Sequence, residues 1–290
     1  MRAGLLLFLL LDGAQPLLQP PAALARPRST ALRAKPTAFW CLRDADNGAA
    51  ADCVIELQTD EEDMRVFALG GCGGVPAATV SCRQISFGLG KTGGQVWPAA
   101  IALAAHLASP SMRADMAGLR VGELGAGCGL PGLVLGALGD ASEVVLTDCG
   151  VQDGAEVNSG DRLLPHGVMD NLRANSAAND NACRVAELDW WEHSAGEPVS
   201  PSEQYDVLVG SDLTYYEEDI APLVGTLRSL LKPMGRAHLM LPAATRRKVV
   251  PQMLDAIREV GTVTVTPKRI VNWDPDDEVL LVEFVNDKPR

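Results

Sequence analysis

From residue 120 onward the chain alternates short apolar runs with longer segments of helical spacing. The runs 120–124, 143–148, 183–188, 205–210 and 236–241 have strand length, and the segments 130–138, 169–178 and 217–231 between them read as helices. Such alternation predicts a parallel sheet, because a crossover helix must carry the chain back to the same edge each time. A helix is predicted over Thr245–Val260, and two last strands over 262–266 and 278–285. Only the acidic turn Trp273–Asp277 links those two, so the last strand is predicted antiparallel. The expected fold is α/β: a Rossmann-like, seven-stranded, mostly parallel sheet with an antiparallel last strand and helices on both faces. Upstream, 52–58 and 78–85 alternate around a glycine-rich stretch at 70–74, which predicts a small N-terminal β-hairpin or meander beside the main domain. Pro98 marks the start of a helix over 99–108. The expected divisions are a leader over 1–36, a β extension over 37–92 and the main domain over 93–290.

Charge and composition refine this picture. The chain has 290 residues and a net charge of −12. Residues 1–36 hold five basic residues and one acid, a charge of +4, which leaves −16 on the rest. So acidic a body repels phosphates and is a poor nucleic-acid binder. It suits basic partners such as lysine-rich protein surfaces. The apolar run Ala3–Leu11 behind Arg2 is too short to span a bilayer but fits a signal-peptide core, with small residues for cleavage at 22–25. The segment 26–35 is basic, hydroxylated and free of acids, as transit peptides are. Together they suit import into a plastid-like organelle; a misassigned start codon is the alternative. No other run is long enough to be transmembrane, so no stable membrane insertion is expected. The seven cysteines make no C-x-x-C pair and are read as free thiols in a reducing compartment. The four histidines have no ligand spacing, and no metal is expected.

The chemistry should gather where the parallel strands end. Val121-Gly-Glu-Leu-Gly-Ala-Gly-Cys-Gly-Leu-Pro-Gly-Leu133 reads as a strand end, a glycine turn and a helix start. Glycines serve where φ must be positive or where a ligand lies against the main chain, and this edge of a parallel sheet is a usual nucleotide site. Gly127–Gly132 matches the dinucleotide fingerprint G-x-G-x-x-G. The rival pattern is E-x-G-x-G-x-G, beginning at Glu123. A carboxylate there would repel a pyrophosphate and attract a sulfonium ligand with an ammonium group, which favours S-adenosyl-L-methionine. Asp148 ends the next strand, well placed for two ribose hydroxyls. Asp189-Trp190-Trp191 ends the third, where an adenine ring needs a stacking and polar wall. Ser211-Asp-Leu-Thr-Tyr215 is delivered to the same edge by the fourth. Trp97, just ahead of the 99–108 helix, could cap either a core or a ligand pocket.

These pieces resemble the class I, seven-β-strand methyltransferases, and within them the branch that methylates lysines of non-histone proteins. The resemblance covers about Gly93 to Val285. It rests on Val-Trp97-Pro-Ala-Ala, Glu123-Leu-Gly-Ala-Gly-Cys-Gly-Leu-Pro-Gly132, Leu-Thr-Asp148, Asn171-Leu-Arg-Ala-Asn175, Leu188-Asp-Trp190 and the D-x-x-Y set Asp212–Tyr215. It implies that Trp97, Gly125, Ala126, Gly127, Asp148, Trp190 and Ser211 line an S-adenosyl-L-methionine pocket, and that Asp212 and Tyr215 face a substrate lysine. It further implies a protein substrate, a monomer and a cytoplasmic setting. The loop after Asp148 is longer than the family's usual connection, and the hydrophobic leader is foreign to it. No Asn-Pro-Pro-Tyr follows the fourth strand, which argues against amide or base-amine methylation. A dehydrogenase using a nicotinamide cofactor shares the glycine turn but leaves Glu123 and Asp212–Tyr215 without a role. A non-catalytic module on the same fold is the other alternative, and Asp212 could instead cap the helix starting near Glu217.

Overall fold

The computed structural model describes residues 38–44, 54–61, 64–70, 78–85, 91–149, 167–180, 182–195, 199–271 and 278–288. The expected leader, the glycines at 71–74, the loop 150–166 and the acidic turn 272–277 lie outside them. Strands β5 (Arg120–Leu124), β6 (Glu143–Asp148), β7 (Arg184–Glu187), β8 (Tyr205–Ser211), β9 (Leu231–Pro242), β10 (Thr262–Val271) and β11 (Glu278–Val285) are the seven expected from the sequence. They lie in the order β10-β11-β9-β8-β5-β6-β7. β5 through β9 pair in parallel. β11 enters antiparallel between β9 and β10, and it alone of the seven reverses direction.

The N-terminal part is the meander of the two expected forms, not the hairpin. β1 (Ala38–Asp44), β2 (Val54–Glu61), β3 (Met64–Gly70) and β4 (Ala78–Arg83) form an antiparallel run. β1 pairs with β10, so all eleven described strands make one sheet running from β4 to β7. The run is thus continuous with the main sheet rather than a hairpin beside it.

Among the described residues, seven α-helices connect and cover the sheet: α1 (Pro98–Leu107), α2 (Pro110–Met116), α3 (Leu130–Leu138), α4 (Val168–Ala178), α5 (Trp190–Ala195), α6 (Ile220–Leu230) and α7 (Val250–Val260). The period of two along β8 sends Val207 and Val209 into one core and Leu208 into the other. On Leu208's side lie Leu223 and Leu227 of α6, Met253 and Ile257 of α7, and Phe284 of β11. On the other side lie Ile101 and Leu103 of α1, Leu133 and Leu135 of α3, and Leu172 of α4. That second core also takes in Ile55, Phe67, Leu69 and Val80 from β2, β3 and β4. The extension is therefore the outer wall of this core. Without it α1 and α3 could not be stable, for both are apolar almost all round: six consecutive residues of α3, Leu130 to Leu135, are buried. A helix with no polar stripe must be covered on every side. Phe67 and Ile55, wholly buried, stabilise this packing by roughly 1.5–3 kcal/mol each.

Three element ends differ from the sequence reading by five residues each. α7 begins at Val250, not Thr245, because Pro251 lacks an N–H and fits only a first helical turn. β9 starts five residues earlier than expected, at Leu231, and β10 extends to Val271. α2 was not expected; Ser109 starts it, its hydroxyl accepting from the Met112 N–H at 3.4 Å.

Candidate active site

β5 ends at Leu124, and the chain then turns through Gly125 (φ 55°) and Gly127 (φ 56°) into α3. A side chain at Gly125 would meet Leu213 Cδ2 at 2.8 Å and the Trp190 indole at 3.3 Å. One at Gly127 would stand 3.0 Å from the Gly93 carbonyl oxygen. The turn therefore lies bare against three other segments, and only glycine allows both the φ and the approach. Ala126 holds it to the sheet by donating to the Thr147 carbonyl at 2.9 Å.

Glu123 is placed at this turn but does not face its opening. The residue is 1 % exposed, and its Oε2 accepts from the Gly132 N–H at 2.9 Å. It thus caps the first turn of α3, where the N-cap residue, Gly129, has no side chain to do so. Burial pushes its carboxyl up to about 8, with the charge of Asp148 pushing the same way, so Glu123 is protonated at neutral pH. Glu123 was expected to attract a cationic ligand; it points inward to Gly132 rather than into the opening. Asp148 is half-buried at the end of β6. Its Oδ2 accepts from the Gly127 N–H at 2.7 Å and its Oδ1 from the Cys149 N–H at 2.8 Å. Burial raises its pKa while those two N–H groups pull it down. Each oxygen keeps a second lone pair for a hydroxyl donor.

Trp190 reaches the turn at Gly125, and Trp97 is tied to the segment that approaches Gly127. Trp97 precedes α1 and donates its indole N–H to the Thr92 carbonyl at 2.7 Å, within the segment that brings Gly93 against Gly127. Asp189 Oδ1 accepts from the Trp191 N–H at 2.8 Å and the Glu192 N–H at 3.3 Å. This capping fixes the start of α5 and so the position of Trp190 beside Gly125. Ser211 ends β8, one residue ahead of Asp212.

Asp212 is a non-glycine residue at positive φ (51°), held there by its N–H donating to the Met240 carbonyl at 2.9 Å. Aspartate tolerates this region better than most residues, and such positions gather at functional sites. Its side chain is 9 % exposed, and Oδ1 accepts from Arg247 Nη2 at 2.8 Å. Arg247 also lies over the Tyr215 ring, 3.9 Å from its centroid. Burial raises the pKa of Asp212; Arg247 and a hydrogen bond from Tyr215 oppose the rise. Burial and the Asp212 charge push the Tyr215 hydroxyl up to about 12, so it stays protonated and can donate. Asp212 is thus no helix cap: its carboxylate is engaged by Arg247 and Tyr215. The sequence reading missed Arg247, because it drew the helix back to Thr245 and hid the turn that carries this residue. Pro251, with the basic run Arg246-Arg247-Lys248 ahead of it, was the signal.

A family profile described as lysine methyltransferase matches residues 85–259, more than half of the chain. The chain belongs to the lysine methyltransferase family. The dehydrogenase reading of the glycine turn falls with that membership. Among curated relatives, the chain is 30 % identical over 166 residues to the calmodulin-lysine N-methyltransferase of Arabidopsis thaliana, covering 57 % of this chain and 49 % of that protein. It is 32 % identical over 145 residues to EEF1A lysine methyltransferase 3 of Mus musculus, covering 50 % and 53 %. It is 33 % identical over 193 residues to the protein N-lysine methyltransferase METTL21A of Danio rerio, covering 67 % and 77 %. The chain thus spans about half the length of the first two.

In this member of the family, α4 adds a device that the sequence showed only as two asparagines on one face. Asn171, Asn175 and Asn179 recur every four residues along α4 and its C-terminal end. Asn179 exchanges two hydrogen bonds with the backbone of Ser81, at 2.9 and 2.8 Å. Asn175 exchanges two with that of Arg83, at 2.7 and 3.0 Å, and Asn171 donates to the Arg83 carbonyl at 3.0 Å. Side-chain amides thus stand in for a neighbouring strand along edge strand β4. Asn175 also donates to the Cys128 carbonyl at 2.9 Å, which ties β4 to the glycine turn. Among the described cysteines, Cys82, Cys128, Cys149 and Cys183 are free thiols. No helix of the described residues is long and apolar enough to cross a membrane.

Proposed function

We propose that this chain is an S-adenosyl-L-methionine-dependent protein-lysine N-methyltransferase, with the cofactor against the glycine turn and the acceptor lysine at Asp212 and Tyr215. The observation that carries the reading is a cation seat: a buried carboxylate and an aromatic face, holding a guanidinium, one residue from the Leu213 that packs on Gly125. The residues at the turn fit the cofactor. Asp148 has lone pairs for two ribose hydroxyls, and the Trp190 indole beside Gly125 offers an apolar wall. Trp97, Ala126, Asp189 and Ser211 would border the same ligand.

The cofactor supplies an electrophilic methyl group when bound there. The protein's part is chiefly positioning. A free lysine has a pKa near ~10.4, and its amine attacks only when neutral. Partial burial beside Tyr215 favours the neutral amine, and Asp212 orients it and stabilises positive charge as that charge forms on the nitrogen. The test is to incubate the full chain with methyl-labelled S-adenosyl-L-methionine and cell lysate, then hydrolyse the labelled protein. Label recovered as methyl-lysine is expected. Label on another residue, or none despite measurable cofactor binding, refutes the reading and in the second case leaves a non-catalytic module.

A further inference from the structure

The seat assigned to the acceptor lysine is already taken by a cation of the chain itself. Arg247 stands on a turn between β9 and α7, with Arg246 and Lys248 exposed on either side. Its own side chain is 23 % exposed, and its guanidinium reaches down to the Asp212 carboxylate at 2.8 Å and lies on the Tyr215 ring at 3.9 Å. Asp212 is 9 % exposed and bonded by Tyr215 as well, so little of its carboxylate is left for a newcomer. A lysine head and an arginine head ask for the same two things here, a carboxylate and an aromatic face.

We propose that Arg247 is an intramolecular competitor of the acceptor lysine: it fills the amine seat until a substrate lysine displaces it, and so determines which amines are accepted. This rests on the reading of Asp212 and Tyr215 as the acceptor subsite. The exchange is feasible because the lysine arrives as an ammonium, so one cation replaces another and the Asp212 carboxylate keeps a partner while Arg247 leaves, an unpaired buried charge being the costly state. The competition also discriminates. A ligand that needs a minor state binds more weakly by the fraction of protein in that state. A protein bearing its lysine among other contacts can meet that cost from remote binding energy, whereas a lone amine cannot. Arg247 is therefore a specificity-determining residue, and the Arg246–Lys248 turn is the element that moves.

The probe is n-butylammonium, a lysine head and stem without its backbone, titrated calorimetrically against the full chain with S-adenosylhomocysteine present. Arg247→Gln should bind it at least about tenfold tighter than wild type, the worth of one charge-assisted hydrogen bond. Arg247→Lys, which keeps a cation, should bind it about as weakly as wild type. Equal affinity for wild type and Arg247→Gln, or no binding by either, overturns the proposal. In the wild-type chain, which needs no substitution to fold, the Arg247 guanidinium Nη–H groups should exchange faster with solvent when n-butylammonium saturates the seat. An unchanged exchange rate at saturation likewise overturns it. With the lysine-bearing protein as acceptor, Arg247→Gln should lower KM about tenfold and change kcat little. Absence of wild-type methyl transfer to any lysine refutes the proposed function, while the displacement measured with n-butylammonium stands or falls separately.

Discussion

Replacing Glu123 by glutamine isolates one buried proton. The side chain is 1 % exposed, its single described partner is the Gly132 N–H, and burial lifts its carboxyl to about 8 from an ordinary value of 4.5. In the unfolded chain the group loses its proton near 4.5; in the folded chain it keeps it to about 8. Between those values the folded state holds one proton more, so this contribution to stability falls as pH rises, by ~1.4 kcal/mol per pH unit. It is complete below 4.5 and lost above 8. Two histidines act in the opposite sense. Burial lowers His106 to about 3 and His238 to about 4, so their contribution is present above 6.5 and lost as pH falls through those values.

The wild-type chain should therefore be most stable near pH 6.5 and weaken toward pH 8. Glutamine cannot titrate, has the same shape as a protonated glutamate, and can still accept from Gly132. Urea unfolding of both chains in steps from about pH 5 to about pH 8.5 cancels the histidines and leaves Glu123 alone. The two should be about equally stable near pH 5, with Glu123→Gln ahead by on the order of 4 kcal/mol near pH 8.5. Parallel curves would mean that Glu123 titrates normally, and the inward, protonated carboxyl described at the turn would be wrong.

Asp148→Ala should weaken S-adenosylhomocysteine binding by about 1.5–3 kcal/mol for each ribose hydrogen bond lost; unchanged affinity in calorimetry would put the ribose elsewhere. Asp212→Ala should lower methyl transfer about 10²-fold while S-adenosylhomocysteine still binds normally. Turnover at the wild-type rate per folded molecule would remove Asp212 from catalysis. Asn175→Ala strips partners from the Arg83 N–H and the Cys128 carbonyl, and should cost about 2–4 kcal/mol in urea unfolding. A loss under about 0.5 kcal/mol would show that β4 does not depend on the asparagine ladder.

What could be read from the sequence were the features with a period or a fixed backbone demand. The seven strands and the antiparallel entry of β11 followed from apolar spacing and from the missing helix between the last two runs. The glycine turn followed from residues that need positive φ. Direction was harder to read. The spacing put Glu123 at the end of β5, but an inward carboxylate and an outward one leave the same pattern in a strand buried on both faces. The outer wall of β1–β4 was indicated only indirectly, by α1 and α3 being apolar with no polar stripe, which demands a cover that a small hairpin could not supply. Asn171 and Asn175 were visible as one face of a helix, yet their partner on β4 lies 88 and 92 residues away along the chain, and no local pattern records such contacts.

The two walls of the proposed site are held by different means, and this bears on which of them can adapt. The cofactor side is locked from several directions: Asp148 and Thr147 take N–H groups of the turn, Glu123 takes one from α3, and Asn175 joins the turn to β4. Shifting it would break buried hydrogen bonds together, at about 1–3 kcal/mol for each group left unpaired. On the acceptor side Asp212 is held by Met240 and Tyr215, but Arg247 is tied down by one ion pair and one stacking contact, from a turn whose neighbours are exposed. Local opening draws on regions with few buried contacts. Rigidity thus sits where one invariant small molecule is proposed to bind, and freedom where a protein lysine must be admitted and other amines refused.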